Sequence, residues 1–345
     1  MKTKVTICAF LLVLLAISIT QAQPRSGNTV PVTADNFNRA ESHSYFRRTM
    51  AGAGGIGRMF RRRELEPIDH QIVIRANRDT LYAAGVFDLD AGPVTVTLPD
   101  TSKRLATMIV IDEDQYALGT FYAPGTFKVS KDQVETRYVL IGIRIFVDPT
   151  DPADMRRVHA LQDAIKVEQK SAGSFDAPEW DPESQKKVRD ALLLLAATLP
   201  DTRRMFGPRG RVDLVRHLIG SATGWGGNAE GDALYLTVVP PKNDGKTIHK
   251  MTIKGEVPVD AFWSVSVYGA DGFFHKNDRD AYSLNNLSAK RNPDGSVTIQ
   301  FGGCAEKVPN CLPIEPGWNY WARFYRPRKE ILDGTYKFPE PQPVN

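Results

Sequence analysis

The chain has 345 residues, 42% of them apolar and 24% charged. This excludes both a disordered chain and a membrane bundle and leaves room for about two domains. Glycine (27) and proline (23) are too few and too scattered for a fibrous or low-complexity protein. Lys+Arg 44 against Asp+Glu 40 leaves +4, too weak a balance to make nucleic acid or an anionic membrane the expected partner.

Residues 1–22 read as a secretory signal peptide: Lys2 and Lys4, then the apolar run Val5 to Ile19, then the small residue Ala22. The run is shorter than the roughly 20 residues that span a bilayer, and polar Gln21, Gln23 and Arg25 surround its end. The expectation is a cleaved leader, no stable membrane anchor, and a periplasmic or secreted protein. Cys8 would leave with the leader, so that only Cys304 and Cys311 remain. An even pair suits an oxidising compartment. A disulfide between them closes a loop of eight residues, worth at most about 2.5 kcal/mol in the chain-entropy model.

Residues 23–67 hold a short helix over 33–50, with Thr33 as cap, then the Gly-rich turn Gly52 to Gly57 and the basic run Arg58 to Arg63. Over 68–150 the period changes to two. Ile72 to Ile74, Leu81 to Leu89, Val94 to Leu98, Leu105 to Ile111 and Tyr138 to Val147 are short strands rich in Val, Ile and aromatics. No amphipathic helix separates them, so an antiparallel sandwich is expected rather than a doubly wound sheet. Over 151–222 the chain reads as a helical connector. Asp151-Pro152 and Asp181-Pro182 are both helix starts, an N-cap followed by Pro at the first helical position. Strands resume over 223–345, most clearly at Leu234 to Val239, Met251 to Ile253, Phe262 to Tyr268, Val297 to Phe301 and Tyr320 to Tyr325. Their number suits a jelly-roll-like sandwich.

These segments carry a resemblance. NRDTLYAAGVFDLDAGPVTVTLPD (Asn77 to Asp100) with IDEDQY (Ile111 to Tyr116) resembles the family called domain of unknown function 1254. DALYLTVVPPKNDGKT (Asp232 to Thr247), with FWSVSVYGADGFF, NPDGSVTIQFGGC and NCLPIEPGWNYWARFYRPR further on, resembles domain of unknown function 1214. The resemblance implies a mainly β protein: an immunoglobulin-like sandwich, a helical segment, then a jelly-roll-like sandwich.

Several motifs suggest chemistry. Gly52 to Gly57 fits G-x-G-x-x-G, but no buried strand precedes it and no long helix follows, so it reads as a turn rather than a dinucleotide site. Gly220 to Gly224 resembles a nucleophile elbow with Ser in the wrong slot. The six histidines show no metal-ligand spacing, and neither a metal nor a cofactor is expected. Asp112 and Asp114 end a strand on one face, where a carboxylate pair could serve glycoside hydrolysis; a solvated turn is the plainer account. Asn77, Arg78 and Asp79 interrupt two strands, and an Arg beside an Asp can clamp an anionic or hydroxyl-rich ligand. In the C-terminal half, aromatics including Trp225 interleave with Asn285, Asn286 and Arg323. Aromatic faces with amide and guanidinium donors suit a sugar or a planar organic ligand.

The sequence therefore points to an exported protein that binds or processes a small-molecule or carbohydrate ligand in a cleft between two sandwiches. The expected site is Asn77, Arg78, Asp79, Trp225, Asn285, Asn286 and Arg323. A carboxylate-dependent hydrolase using Asp112 and Asp114 is one alternative, and a structural module of the cell envelope is another. A homo-oligomer is compatible with either.

Overall fold

The computed structural model describes residues 29–71, 74–305 and 308–344. The expected leader, Cys8, and Ile72 and Val73 of the first expected strand lie outside the described residues. Helix α1 (Phe37–Ala53) begins four positions after Thr33, whose hydroxyl instead accepts from the Asp35 N–H in a turn. It ends at Gly54, which takes a left-handed φ of 76° and donates its N–H to the Met50 carbonyl. The Gly-rich run is therefore a helix C-cap, where only glycine adopts that backbone without strain.

The first sandwich follows in chain order: β1 (Met59–Arg61), β2 (Thr80–Asp88), β3 (Val94–Leu98), β4 (Ala106–Asp112), β5 (Ala117–Tyr122), β6 (Gly125–Val129) and β7 (Tyr138–Phe146). Next come α2 (Pro152–Asp163), β8 (Lys166–Gln169), α3 (Pro182–Ala196) and α4 (Leu214–Gly224). The two Asp-Pro starts are used as read. Asp151 Oδ1 accepts from the Ala153 N–H, and Asp181 Oδ2 from the Ser184 N–H. The second sandwich comprises β9 (Ala233–Val238), β10 (His249–Ile253), β11 (Trp263–Tyr268), β12 (Ser283–Asn285), β13 (Val297–Phe301), β14 (Cys311–Leu312), β15 (Asn319–Tyr325), α5 (Lys329–Leu332) and β16 (Gln342–Pro343).

In the first sandwich an antiparallel five-stranded sheet, β1-β2-β7-β4-β5, faces a three-stranded sheet, β6-β3-β8. Side chains alternate between faces along each strand. Leu81, Met108, Val110, Ile141, Ile143 and Ile145 point inward against Val94, Val96 and Val129. Val158 of α2 and Ile165 join the same core, so α2 and β8 pack as part of this sandwich. Strand β8 was not expected because KVEQ has only one apolar residue; it forms as the edge partner of β3.

In the second sandwich the sheet β12-β11-β15-β9 packs on β14-β13-β10-β16. Trp263, Val265 and Val267 face inward with Tyr320, Ala322 and Phe324, against Met251, Ile299 and Phe301. The protein is mainly β, with two sandwiches and packed helices. Among the described residues no helix is long and apolar enough to cross a membrane.

Cys304 and Cys311 form a disulfide with Cα atoms 5.5 Å apart. It ties the end of β13 to β14, which pair in parallel. Reduction should lower stability by about 2 kcal/mol or less, given the short loop, as read from the denaturant midpoint. Mass spectrometry should find two alkylated thiols only after reduction; free thiols in the unreduced protein would contradict the bond.

Candidate functional site

Each large sheet uses only one face for its own core. The other face of the five-stranded sheet carries Tyr82, Ala84, Ile109, Ile111, Leu140, Gly142 and Arg144, and that of the second sandwich carries Tyr235, Trp321, Arg323 and Tyr325. These faces look toward each other, and α1 and the end of α4 close the sides. Between them lies a cavity of about 420 Å³ lined by residues of both sandwiches.

Small residues open this space. Ala84, Gly142 and Ile109 form one row across β2, β7 and β4. Gly142 has no side chain, and a Cβ there would meet only Ile109 and Leu140, at 3.5 Å. Tyr45 of α1 stacks on Trp225 with ring centroids 4.4 Å apart, and the Trp225 indole donates to Ser42 Oγ at 3.0 Å. Burial pushes the phenols of Tyr45 and Tyr325 up from their ordinary value.

Basic groups dominate the polar lining. Arg48, Arg62, Arg75, Arg144 and Arg323 line the cavity, with Glu66 the one carboxylate among the described lining residues; Glu66 is ion-paired with Arg62. Arg144 interrupts the apolar strand YVLIGIRIF and donates to the Gly226 carbonyl. Arg75 donates to Thr223 Oγ1 at 3.1 Å and lies 5.5 Å over the Trp321 ring. Burial lowers the pKa of its guanidinium, although an arginine remains charged. Three buried donors in these walls have no acceptor: Arg75 Nε, Arg144 Nη1 and Trp321 Nε1.

The chain is strained where it presents Arg75, which has a φ of 53°. Other groups hold that turn. The Arg75 N–H donates to the Gly272 carbonyl at 2.9 Å. Arg323 donates to the carbonyls of Arg75 (2.8 Å) and Ala76 (3.2 Å), to Ser266 Oγ and to Tyr268 Oη.

The residues expected from sequence divide into three groups. Asn77, Trp225 and Arg323 line the cavity. Arg78, Asp79 and Asn285 lie behind its wall and join the two sandwiches. Asn77 Nδ2 donates to Tyr325 Oη at 2.6 Å, and Asn285 Nδ2 donates to Asp79 Oδ1 at 3.1 Å. Asp79 is fully buried. Burial raises its pKa, and Arg323 opposes that rise. Arg78 donates to the Glu66 carbonyl and packs 5.1 Å over Tyr282. Asn286 lies outside the lining; its N–H donates to the Trp263 carbonyl at 3.3 Å.

The third group, Asp112 and Asp114, is also outside the lining. Asp114 makes a two-pronged pair with Arg39 at 2.7 Å, and Arg209 bridges both carboxylates, at 3.1 and 2.9 Å. Asp112 Oδ1 accepts from the N–H groups of Asp114 and Tyr116, closing the turn. Burial nevertheless pushes its pKa up to about 6. Among the described residues no three His, Cys, Asp or Glu side chains are placed to hold a metal.

Sequence reasoning did not single out Arg75, Arg144, Tyr45, Tyr82, Tyr235 or Tyr325. One signal was available for Arg144: a lone charge two residues after a glycine in an otherwise apolar strand.

The arrangement defines a class: two mainly antiparallel sandwiches enclosing a cleft between their outer faces. Comparison with known proteins agrees. Residues 58–128 match the family described as protein of unknown function (DUF1254), and residues 240–329 match protein of unknown function (DUF1214). The chain thus carries a DUF1254 domain followed by a DUF1214 domain. No match is found among curated proteins. The crystal structure of the VPA0106 protein from Vibrio parahaemolyticus shares the fold with 21% identity and a TM-score of 0.67, covering 90% of this chain and 98% of that one. A putative uncharacterized protein from Burkholderia cenocepacia is similar with 13% identity and a TM-score of 0.52, over 90% and 87% of the two chains.

The neighbouring Glu113 gives a stability test. It is buried, pairs with His43 at 2.9 Å, and accepts from the N–H groups of Arg137 (2.9 Å) and Tyr138 (3.1 Å). Burial alone would raise its pKa, but these partners hold it below the usual Glu value of 4.5. A depressed acid stabilises the fold above the unfolded pKa, and that contribution is lost as pH falls through the folded one. Glu113→Ala should therefore cost about 3 kcal/mol at pH 7, and its gap from wild type should narrow below pH 4.5. Chemical denaturation across pH measures both.

Proposed function

We propose that the protein binds a small organic ligand in the cleft between its two sandwiches. The observation that carries this reading is the cavity of about 420 Å³, whose walls come from both domains. Its size falls in the range of small-molecule sites, and an aromatic and aliphatic wall with a few placed polar groups is their usual composition. Two sheet faces of this apolarity would otherwise close on each other to exclude water. The cleft holds Glu66 as its one described carboxylate, already paired with Arg62. This favours binding over glycoside hydrolysis, which ordinarily uses two positioned carboxyl groups.

Export forms part of the same proposal. The Cys304–Cys311 disulfide suits an oxidising compartment, and the Lys2 to Ala22 segment has the form of a cleaved leader. Sequencing of the exported protein should give a start near Gln23; an intact Met1 terminus in a membrane fraction would contradict it.

Ligand uptake can be blocked at Gly142. A Cβ there meets only the Ile109 and Leu140 side chains, at 3.5 Å, on the face that lines the cavity, so a leucine is expected to extend into it. Titration of wild type with 4-phenylbutyrate and 4-phenylbutanol, read by tryptophan fluorescence, should saturate, because Trp225 and Trp321 stand in the wall. Gly142→Leu should melt within a few degrees of wild type and lose the saturable signal. Uptake that persists in the variant would place the site elsewhere.

A further inference from the structure

We propose that the cleft takes an organic anion, with a carboxylate or phosphate monoester head on an apolar, partly aromatic body. This rests on the reading of the cleft as a ligand site and adds the ligand's charge and polarity.

The carrying observation is a pair of part-buried cations, Arg75 and Arg144, that line the cavity and make no ion pair among the described residues. Both guanidiniums reach the C-terminal end of α4, Arg75 through Thr223 and Arg144 through the Gly226 carbonyl. A helix C-terminus supplies about half a negative charge, against two full positive ones. Arg62 already has Glu66. Arg323 has four neutral acceptors and faces the buried carboxylate of Asp79, and Arg48 is exposed and lies over the Tyr45 ring. The uncompensated charge is therefore that of Arg75 and Arg144. A part-buried cation without an ion-pair partner is held at a cost, and an anionic ligand lowers that cost.

The hydrogen-bond inventory points the same way. Three side chains of the lining each keep a buried N–H without an acceptor, Arg75 Nε, Arg144 Nη1 and Trp321 Nε1; these atoms lie behind the cavity surface and show a wall short of acceptors. A neutral sugar brings hydroxyls that donate as well as accept, whereas a carboxylate or phosphate offers acceptors alone. A guanidinium also holds such a head in a two-pronged geometry. The stacked Tyr45 and Trp225, with Ile109 and Leu140, suit the apolar body.

Three probes sharing one body test this: 4-phenylbutyrate, 4-phenylbutyl phosphate and 4-phenylbutanol, titrated by calorimetry into the purified protein. At least one anion should bind about tenfold or more tightly than the alcohol, as charge-assisted hydrogen bonds imply; which anion binds better identifies the head. In Arg144→Met and Arg75→Met the preference should fall to about threefold or less, and melting without ligand should change little, because each change removes a part-buried cation that has no ion-pair partner. Where Arg144→Met fails to fold, Arg144→Lys keeps the charge without the fork and should retain only part of the preference. Affinity for the alcohol equal to that for both anions overturns the anion inference and leaves the cleft reading standing. Failure of all three to bind at millimolar concentration removes both.

Discussion

The buried guanidinium of Arg323 organises the space between the sandwiches. It stands on β15, the strand next to the centre of the second domain's sheet, yet two of its acceptors are the backbone carbonyls of Arg75 and Ala76 ahead of β2. Burying a charged group is tolerable only when its donors are met, so this residue fixes the distance between the two domains. Everything else in the cleft follows from that distance. The 75–76 turn is pinned in a left-handed backbone, Arg75 is aimed toward α4, and Asn77 and Asp79 come within reach of Tyr325 and Asn285.

The five-stranded sheet shows how the same constraint reads in sequence. Its central strands β4 and β7 are apolar on both faces because one face builds the sandwich core and the other the cleft. A sheet buried on both sides loses the clean alternation of a solvent-facing one. The strands were still legible, since runs of Val and Ile bounded by turn residues have few other readings. Strands β5 and β6 escaped because glycines break their runs, and β8 because it is a half-exposed edge.

The site was legible only in part. Asn77, Trp225 and Arg323 stood out as polar or aromatic residues with no obvious core role, and they line the cleft. Arg75 gave no local signal. Its role depends on Gly272 and Arg323, roughly two hundred residues away, and no spacing rule reaches that far. Asp112 and Asp114 look like a chemical pair when read along the chain, but their partners Arg39 and Arg209 arrive from α1 and from the distant turn ahead of α4. A short sequence window cannot separate a carboxylate awaiting a substrate from one already held by an arginine.

The cleft's walls are divided between the domains: its floor is the row Ala84, Gly142 and Ile109 in one sandwich, and its roof is Tyr235, Trp321 and Tyr325 in the other. Neither sandwich alone encloses a cavity there. Separated, each would expose an aromatic or aliphatic sheet face to water, a surface prone to self-association. The two domains are thus an obligate pair in the architectural sense. The unit on which selection for the cleft's shape acts is the junction, and a substitution on one side alters a compartment that the other side must still fit.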